Sequence, residues 1–322
     1  TSAIGGSITI NGGKTLTVTN TTFSRSESNT GHLAMSGGAI SVRGGSKVNM
    51  TNVTIFNCSA ESEGGALHVD GVESSIKFEN STIVGNVSAN GGVARLASGE
   101  ASFVNVLFDG NNVTGGGGVV YNDNGRFLAY GCHFTGNHAD AQGGVVRHGT
   151  TNLNPESFFN ACSFTKNYTI GGTQHGDVFY AKGGTIGVNN CALYANGGYN
   201  QSGDIVLASD GGKSQIPTLA VVNSTFYKNP EGYAFDGSTK YGIMYSYAND
   251  SNVYYLNNVL LKPDSSALKV GSGSATSVEV SGGFNYRGKL RVTNGCTYTT
   301  LGNEIEVTWD AVKDNFSLSP ER

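Results

Sequence analysis

Two aspartates carry the spacing best suited to acid/base chemistry. Asp177 and Asp204 stand 27 residues apart, each behind a glycine, in Gly176-Asp177-Val178 and Gly203-Asp204-Ile205. Carboxylates brought together can act as the acid and base of a hydrolysis. Beside a basic residue they can instead hold the calcium ion of an elimination. Asp also suits tight turns, a structural role that competes with the catalytic one. A second set is cationic and aromatic: Arg95, Tyr121, Arg147 and Tyr180. Arginines flanking a ring make cation–π contacts and leave their forks for carboxylate or sulfate. The same long side chains also serve simply to cover a solvated face.

Histidine and cysteine offer less. His133 and His138 flank Phe134 and Asn137 and are expected on a surface turn, whereas His148 falls among inward positions and is expected to be a hydrogen-bonded interior residue. The cysteines are Cys58, Cys132, Cys162, Cys191 and Cys296, an odd count that argues against a complete disulfide framework. Cys132, Cys162 and Cys191 each stand two residues before an aromatic or aliphatic anchor, so they should stack as small, buried, free thiols. Without a local Cys-x-x-Cys or Cys/His pair, no zinc site is expected. No cofactor is expected.

What positions these residues is a repeat. Gly-Gly followed by a small apolar pair recurs at Gly37, Gly64, Gly91, Gly117 and Gly143, in steps of 27, 27, 26 and 26. Alternating with it, an apolar anchor precedes Asn by three in Ile83…Asn86, Phe108…Asn111, Phe134…Asn137, Phe164…Asn167, Leu193…Asn196 and Phe226…Asn229. A period of this length marks a solenoid. Residues 91–117 read as three short strands and three turns, one rung of a right-handed, single-stranded parallel β-helix. About ten coils at ~4.8 Å each would form a rod about 50 Å long.

The stacking assigns faces. Ile40, Leu67, Ala94, Val120, Val146, Phe179 and Val206 form one inward column, and Val42, Val69, Leu96, Asn122, His148, Ala181 and Ala208 form a second. A third inward column runs Phe23, Ile55, Ile83, Phe108, Phe134, Phe164, Leu193, Phe226 and Leu261. Asn20, Asn52, Asn80, Asn105, Asn190, Asn223 and Asn258, three residues before that column, are expected to form an amide ladder. The outward column of the first strand is Ser41, His68, Arg95, Tyr121, Arg147, Tyr180 and Leu207. Asp70 and Asp123 share another outward column with Arg43 and Lys182, and Asp177 is expected to lie beside Asp204.

Residues 1–230 are read as regular coils and 231–322 as irregular late coils with a C-terminal cap, including a helical turn at Asp310 to Asp314. Capping answers the need to cover strand edges at a rod's end. The chain has 48 Gly and 5 Pro, is 14% charged and carries a net charge of −4, with no basic stripe for nucleic acid. No apolar run approaches the ~20 residues of a membrane-spanning helix. A start at Thr1 with no signal peptide reads as a processed chain or an excised fragment.

The alternation of Gly37-Gly38-Ala39-Ile40 and Gly64-Gly65-Ala66-Leu67 with Phe108…Asn111, Phe134…Asn137, Phe164…Asn167 and Phe226…Asn229 resembles the repeats of the chlamydial polymorphic membrane proteins. Degenerate copies extend the likeness over roughly residues 20–230. Similar tandem motifs occur in other adhesin-like β-helix proteins. The resemblance implies export and display at the cell surface or outer membrane, as an autotransporter passenger. Together these readings give the expectation of a monomeric adhesin-type scaffold that binds a host surface protein or an acidic glycan along its side, through Arg95, Tyr121, Arg147 and Tyr180. The alternative is a polysaccharide lyase or glycoside hydrolase on the same fold, with Asp177 and Asp204 in its site.

Overall fold

Glycine pairs set the corner of the coils that begin at Gly37, Gly64, Gly91, Gly117 and Gly143. The first glycine of each pair takes the left-handed conformation, from φ 63° at Gly64 to φ 73° at Gly117, which few other residues adopt cheaply. The second meets the neighbouring coil: a Cβ on Gly65 would fall 2.3 Å from the carbonyl oxygen of Gly92. The chain therefore turns there and stacks at backbone distance. The computed structural model describes residues 5–25, 33–149, 153–171, 176–197, 205–207 and 217–227, then separate strands up to residue 306.

Among the described residues all strand pairing is parallel, as a β-solenoid requires. Among the described residues three sheets have eleven strands each, and every internal strand pairs with its counterparts one coil before and after. The first sheet starts at Ile8–Ile10, the second at Thr15–Thr19 and the third at Thr22–Ser24. About six turns, over 34–197, are described along most of their path. No helix occurs among the described residues, and none there is long and apolar enough to cross a membrane. The three sheets continue past residue 230, while 307–322, with the expected helical turn, lie outside the described residues.

A fourth side was not expected. Val87–Ser88, Asn112–Val113, His138–Ala139 and Tyr168–Thr169 form a short parallel sheet between the Asn of one motif and the glycines of the next. Two-residue strands are too short to show an alternation in sequence.

The first two inward columns are buried as expected from Ile40 to Phe179 and from Val42 to Ala181. The next coil corrects the register: Phe179 pairs with Ile205 and Ala181 with Leu207, so Val206 stacks on Tyr180 instead of continuing the inward column. A step of one residue exchanges the faces of a strand. Ile205-Val206-Leu207 is apolar throughout, so composition could not set its phase. In the third column Phe226 pairs with Leu260 rather than Leu261, and Asn258 correspondingly accepts from the backbone N–H of Ser224.

Phenylalanines fill the core between the second and third sheets. Phe108, Phe134 and Phe164 of the third sheet stack face to face, with centroids 4.6 and 4.8 Å apart. Phe103, Phe127 and Phe159 of the second sheet meet one another tilted, at 5.1 and 5.6 Å. Phe103 and Phe159 present edges to the third-sheet stack, at 5.0 Å from Phe108 and 5.6 Å from Phe134. The edge contacts suit the quadrupole of the ring.

The expected ladder of turn amides forms in part, and a second, buried ladder runs beside it. Asn20, Asn52, Asn80, Asn105, Asn190 and Asn223 occupy left-handed turns, with φ between 49° and 54°. Their amides meet only loosely, Asn52 donating to Asn20 and Asn105 to Asn80 at 3.3 Å. The internal ladder belongs to the Asn that closes each Phe-x-x-Asn motif. Asn111 donates its backbone N–H at 3.0 Å and its side-chain amide at 2.9 Å to the side-chain Oδ1 of Asn137, and its amide also reaches the Ile83 backbone carbonyl at 3.0 Å. Asn86, Asn137 and Asn167 repeat the pattern. Each buried amide is thereby satisfied by the coils on either side.

Candidate functional site

The first-sheet strip forms in the expected order: Arg95 pairs with Tyr121, Tyr121 with Arg147 and Arg147 with Tyr180. Tyr121 is held between two guanidinium groups, 4.5 Å from Arg95 and 5.0 Å from Arg147. Two glycines let these side chains lie against the backbone. A Cβ on Gly116 would fall 2.3 Å from Cδ of Arg147, and one on Gly149 would fall 2.2 Å from the Tyr121 hydroxyl.

Charge is distributed differently from the expectation. The Arg95 fork is not left for a ligand: its Nη2 donates to the Asp123 carboxylate, and its Nε lies 3.4 Å from the Glu63 carboxylate. The Arg95 side chain is only 11% exposed. Asp123 thus belongs to Arg95, while Arg43 pairs with Asp70 at 3.3 Å. No carboxylate among the described residues lies within ion-pair distance of Arg147, whose buried Nε has no hydrogen-bond partner among them. The strip also closes at both ends. Ser41, His68 and Tyr180 are buried, so Tyr180 does not present a surface for binding. Burial holds the His68 imidazole below its usual pKa, with Arg43 and Arg95 adding to the effect against Asp70.

Asp177 sits at the second position of the glycine-pair corner and is 1% exposed. Its Oδ1 accepts from the Thr169 backbone N–H at 2.9 Å and the Thr169 hydroxyl at 2.8 Å. Its Oδ2 is buried with no partner among the described residues. Burial pushes its pKa up to about 7 against the lowering effect of Thr169. Asp204 lies outside the described residues. The 27-residue step from Asp177 to Asp204 does not match the 26-residue step from Phe179 to its partner Ile205.

Among the described histidines, His133 is exposed at the surface, His138 is half-buried and His148 lies inside, while the described thiols are buried. His133 lies 2.7 Å from the Ser163 hydroxyl, and His138 stacks on Tyr168 at 4.8 Å. His148 is fully buried between the Gly183 carbonyl, at 3.0 Å, and the Ser157 hydroxyl, at 2.9 Å. Burial drives its pKa down to about 4. Cys132, Cys162 and Cys191 are free and buried in one column, the backbone N–H of Cys162 pointing at the Cys191 sulfur at 3.4 Å. Cys58 is free as well, pushed up to about 11 by burial. Cys296 lies outside the described residues. Among the described residues no group of three His, Cys, Asp or Glu is placed to hold a metal ion.

A surface not anticipated from sequence lies on the outer face of the second sheet. A groove of about 740 Å³ crosses six coils there, from Lys77 past Ser102, Leu128, Phe158 and Gly187 to Ala220. Its signal was present in Arg126-Phe127-Leu128-Ala129-Tyr130 and Glu156-Ser157-Phe158-Phe159-Asn160, where the outward positions at the centre are apolar.

No family model, curated protein or solved structure matches this chain.

Proposed function

We propose that this chain is an adhesin-type β-solenoid, displayed at a cell surface or secreted, that holds a host protein or acidic glycan against its side. The kinship with polymorphic membrane protein repeats belongs to the same proposal. The observation that carries it is the Arg95–Tyr121–Arg147 stack, in which one guanidinium is neutralised and the other has no carboxylate beside it among the described residues. Arg95 then braces Tyr121, and Arg147 with the Tyr121 ring meets the ligand. An accessible arginine beside an aromatic ring suits a sulfate or carboxylate on a sugar.

The enzyme alternative requires Asp177 to open onto a cleft with Asp204. The burial of Asp177 favours a corner role instead.

The test is retention of the purified chain on arrays of sulfated and carboxylated glycans and on host cells. Arg147→Ala is expected to weaken retention on acidic glycans by about tenfold, the worth of one charge-assisted contact. Unchanged retention would discard the site. Release of reducing ends from any polysaccharide, abolished in Asp177→Asn, would favour the enzyme.

A further inference from the structure

We propose that the outer face of the second sheet is a stacking platform for a neutral polysaccharide that lies along the rod. This surface is separate from the Arg147 strip, and either reading stands or falls without the other.

The outward column changes character along the sheet. Lys77 and Ser102 give way to Leu128, Phe158, Gly187 and Ala220, and the next strand continues with Tyr254. Tyr130, beside Leu128, is 54% exposed, and Tyr254 is 45% exposed. Apolar residues contiguous from Leu128 to Ala220, with exposed rings at Tyr130 and Tyr254, are a different matter from scattered apolar residues, which every surface carries. Phe158 lies down on the sheet because Gly187 makes room: a Cβ there would stand 2.6 Å from its ring. The Arg126 guanidinium braces the same ring, 5.9 Å from its centroid.

Charge selects the occupant. Lys77 is answered by Glu79 at 2.6 Å, and Arg126 by Glu100 at 3.5 Å and Glu156 at 3.3 Å. The groove therefore presents no unpaired cation, and Arg126 faces two carboxylates, which disfavours an acidic glycan and suits a neutral one. Along one flank an amide series supplies donors and acceptors for hydroxyls: Asn189 donates to Asn160 at 3.2 Å, and Asn223 donates to Asn189 at 3.3 Å. An apolar floor with a few fixed polar groups is the usual make-up of a ligand site. Sugars match it, with a C–H face for the rings and hydroxyls for the amides. Coils about 4.8 Å apart advance by nearly the length of one sugar unit, so a chain parallel to the rod meets the same chemistry at each step. A peptide adding as a strand has no purchase here, because these central strands are already paired on both sides.

The test uses the purified chain and calorimetric titration with neutral hexasaccharides of glucose, mannose, xylose and galactose. At least one should bind saturably. Tyr130→Ala, at a position more than half exposed, should keep the thermal midpoint and weaken binding about tenfold. Gly187→Val, which displaces the Phe158 ring, should weaken it by a similar factor, and Arg147→Ala should leave it unchanged. Three outcomes overturn the proposal: no neutral hexasaccharide binds, binding survives Tyr130→Ala, or the chain self-associates through a contact that Tyr130→Ala abolishes. Loss of acidic-glycan retention in Arg147→Ala bears only on the first-sheet strip.

Discussion

Asp177 departs far from the ordinary behaviour of a carboxyl. A carboxyl that normally titrates near 3.8 is raised to about 7 by burial. Between those values the folded chain keeps a proton that the unfolded chain has lost, so this group's contribution to stability falls as pH climbs from about 4 to about 7. His148 acts in the opposite sense. Lowered from 6.5 to about 4, it refuses a proton that the unfolded chain takes up, so its contribution falls as the medium acidifies through that range. Asp177→Asn removes the first effect and leaves the second. The stability gained by the variant relative to the parent should therefore grow from pH 4 to pH 7 and then level off, as read from urea midpoints at pH 4.5, 6 and 7.5. A difference independent of pH would mean that Asp177 is ionised throughout. The sequence identified Asp177 as a candidate from its place behind Gly176, but not its burial, which depends on the coils packed around that corner.

At the scale of the repeating element, polar and apolar ladders run side by side. The aromatic anchors were legible as an inward column because Phe recurs with a fixed partner. The Asn of the same motif is buried more deeply than the turn Asn before it, and sequence spacing does not separate the two. Only the left-handed φ of one and the interior position of the other do. Asn137→Ala tests the difference. It removes the acceptor for two Asn111 donors and the donor to the Phe108 carbonyl. Each buried group left unmade costs ~1–3 kcal/mol. Denaturant titration should register a loss of about 3 kcal/mol or more, whereas Asn105→Ala, in a turn, should cost much less. Equal losses would place the ladder elsewhere.

For the whole molecule, each coil touches only the one before and the one after, so stability accumulates coil by coil. Removing residues 91–116, from one Gly-Gly corner to the residue before the next, should leave the sheets in register. We expect the shortened protein to keep its β-sheet circular dichroism and a cooperative melt. Removing 91–103 instead cuts the circuit mid-coil and should abolish folding. Equal behaviour of the two deletions would contradict a solenoid of interchangeable coils.

The sequence alone determined the parallel β-solenoid, the glycine corners, the phenylalanine column and the stacking of Arg95, Tyr121 and Arg147. All of these recur at the period of the coil, and a periodic chain has few other ways to bury its apolar positions. Tertiary structure decided what the period does not encode: the one-residue shift at Ile205, the ion pairs that occupy Arg95, the burial of Tyr180 and Asp177, and the aromatic groove over Gly187. Each depends on how side chains from different coils share one space. That is settled by distance and partner, which a single strand of residues does not contain.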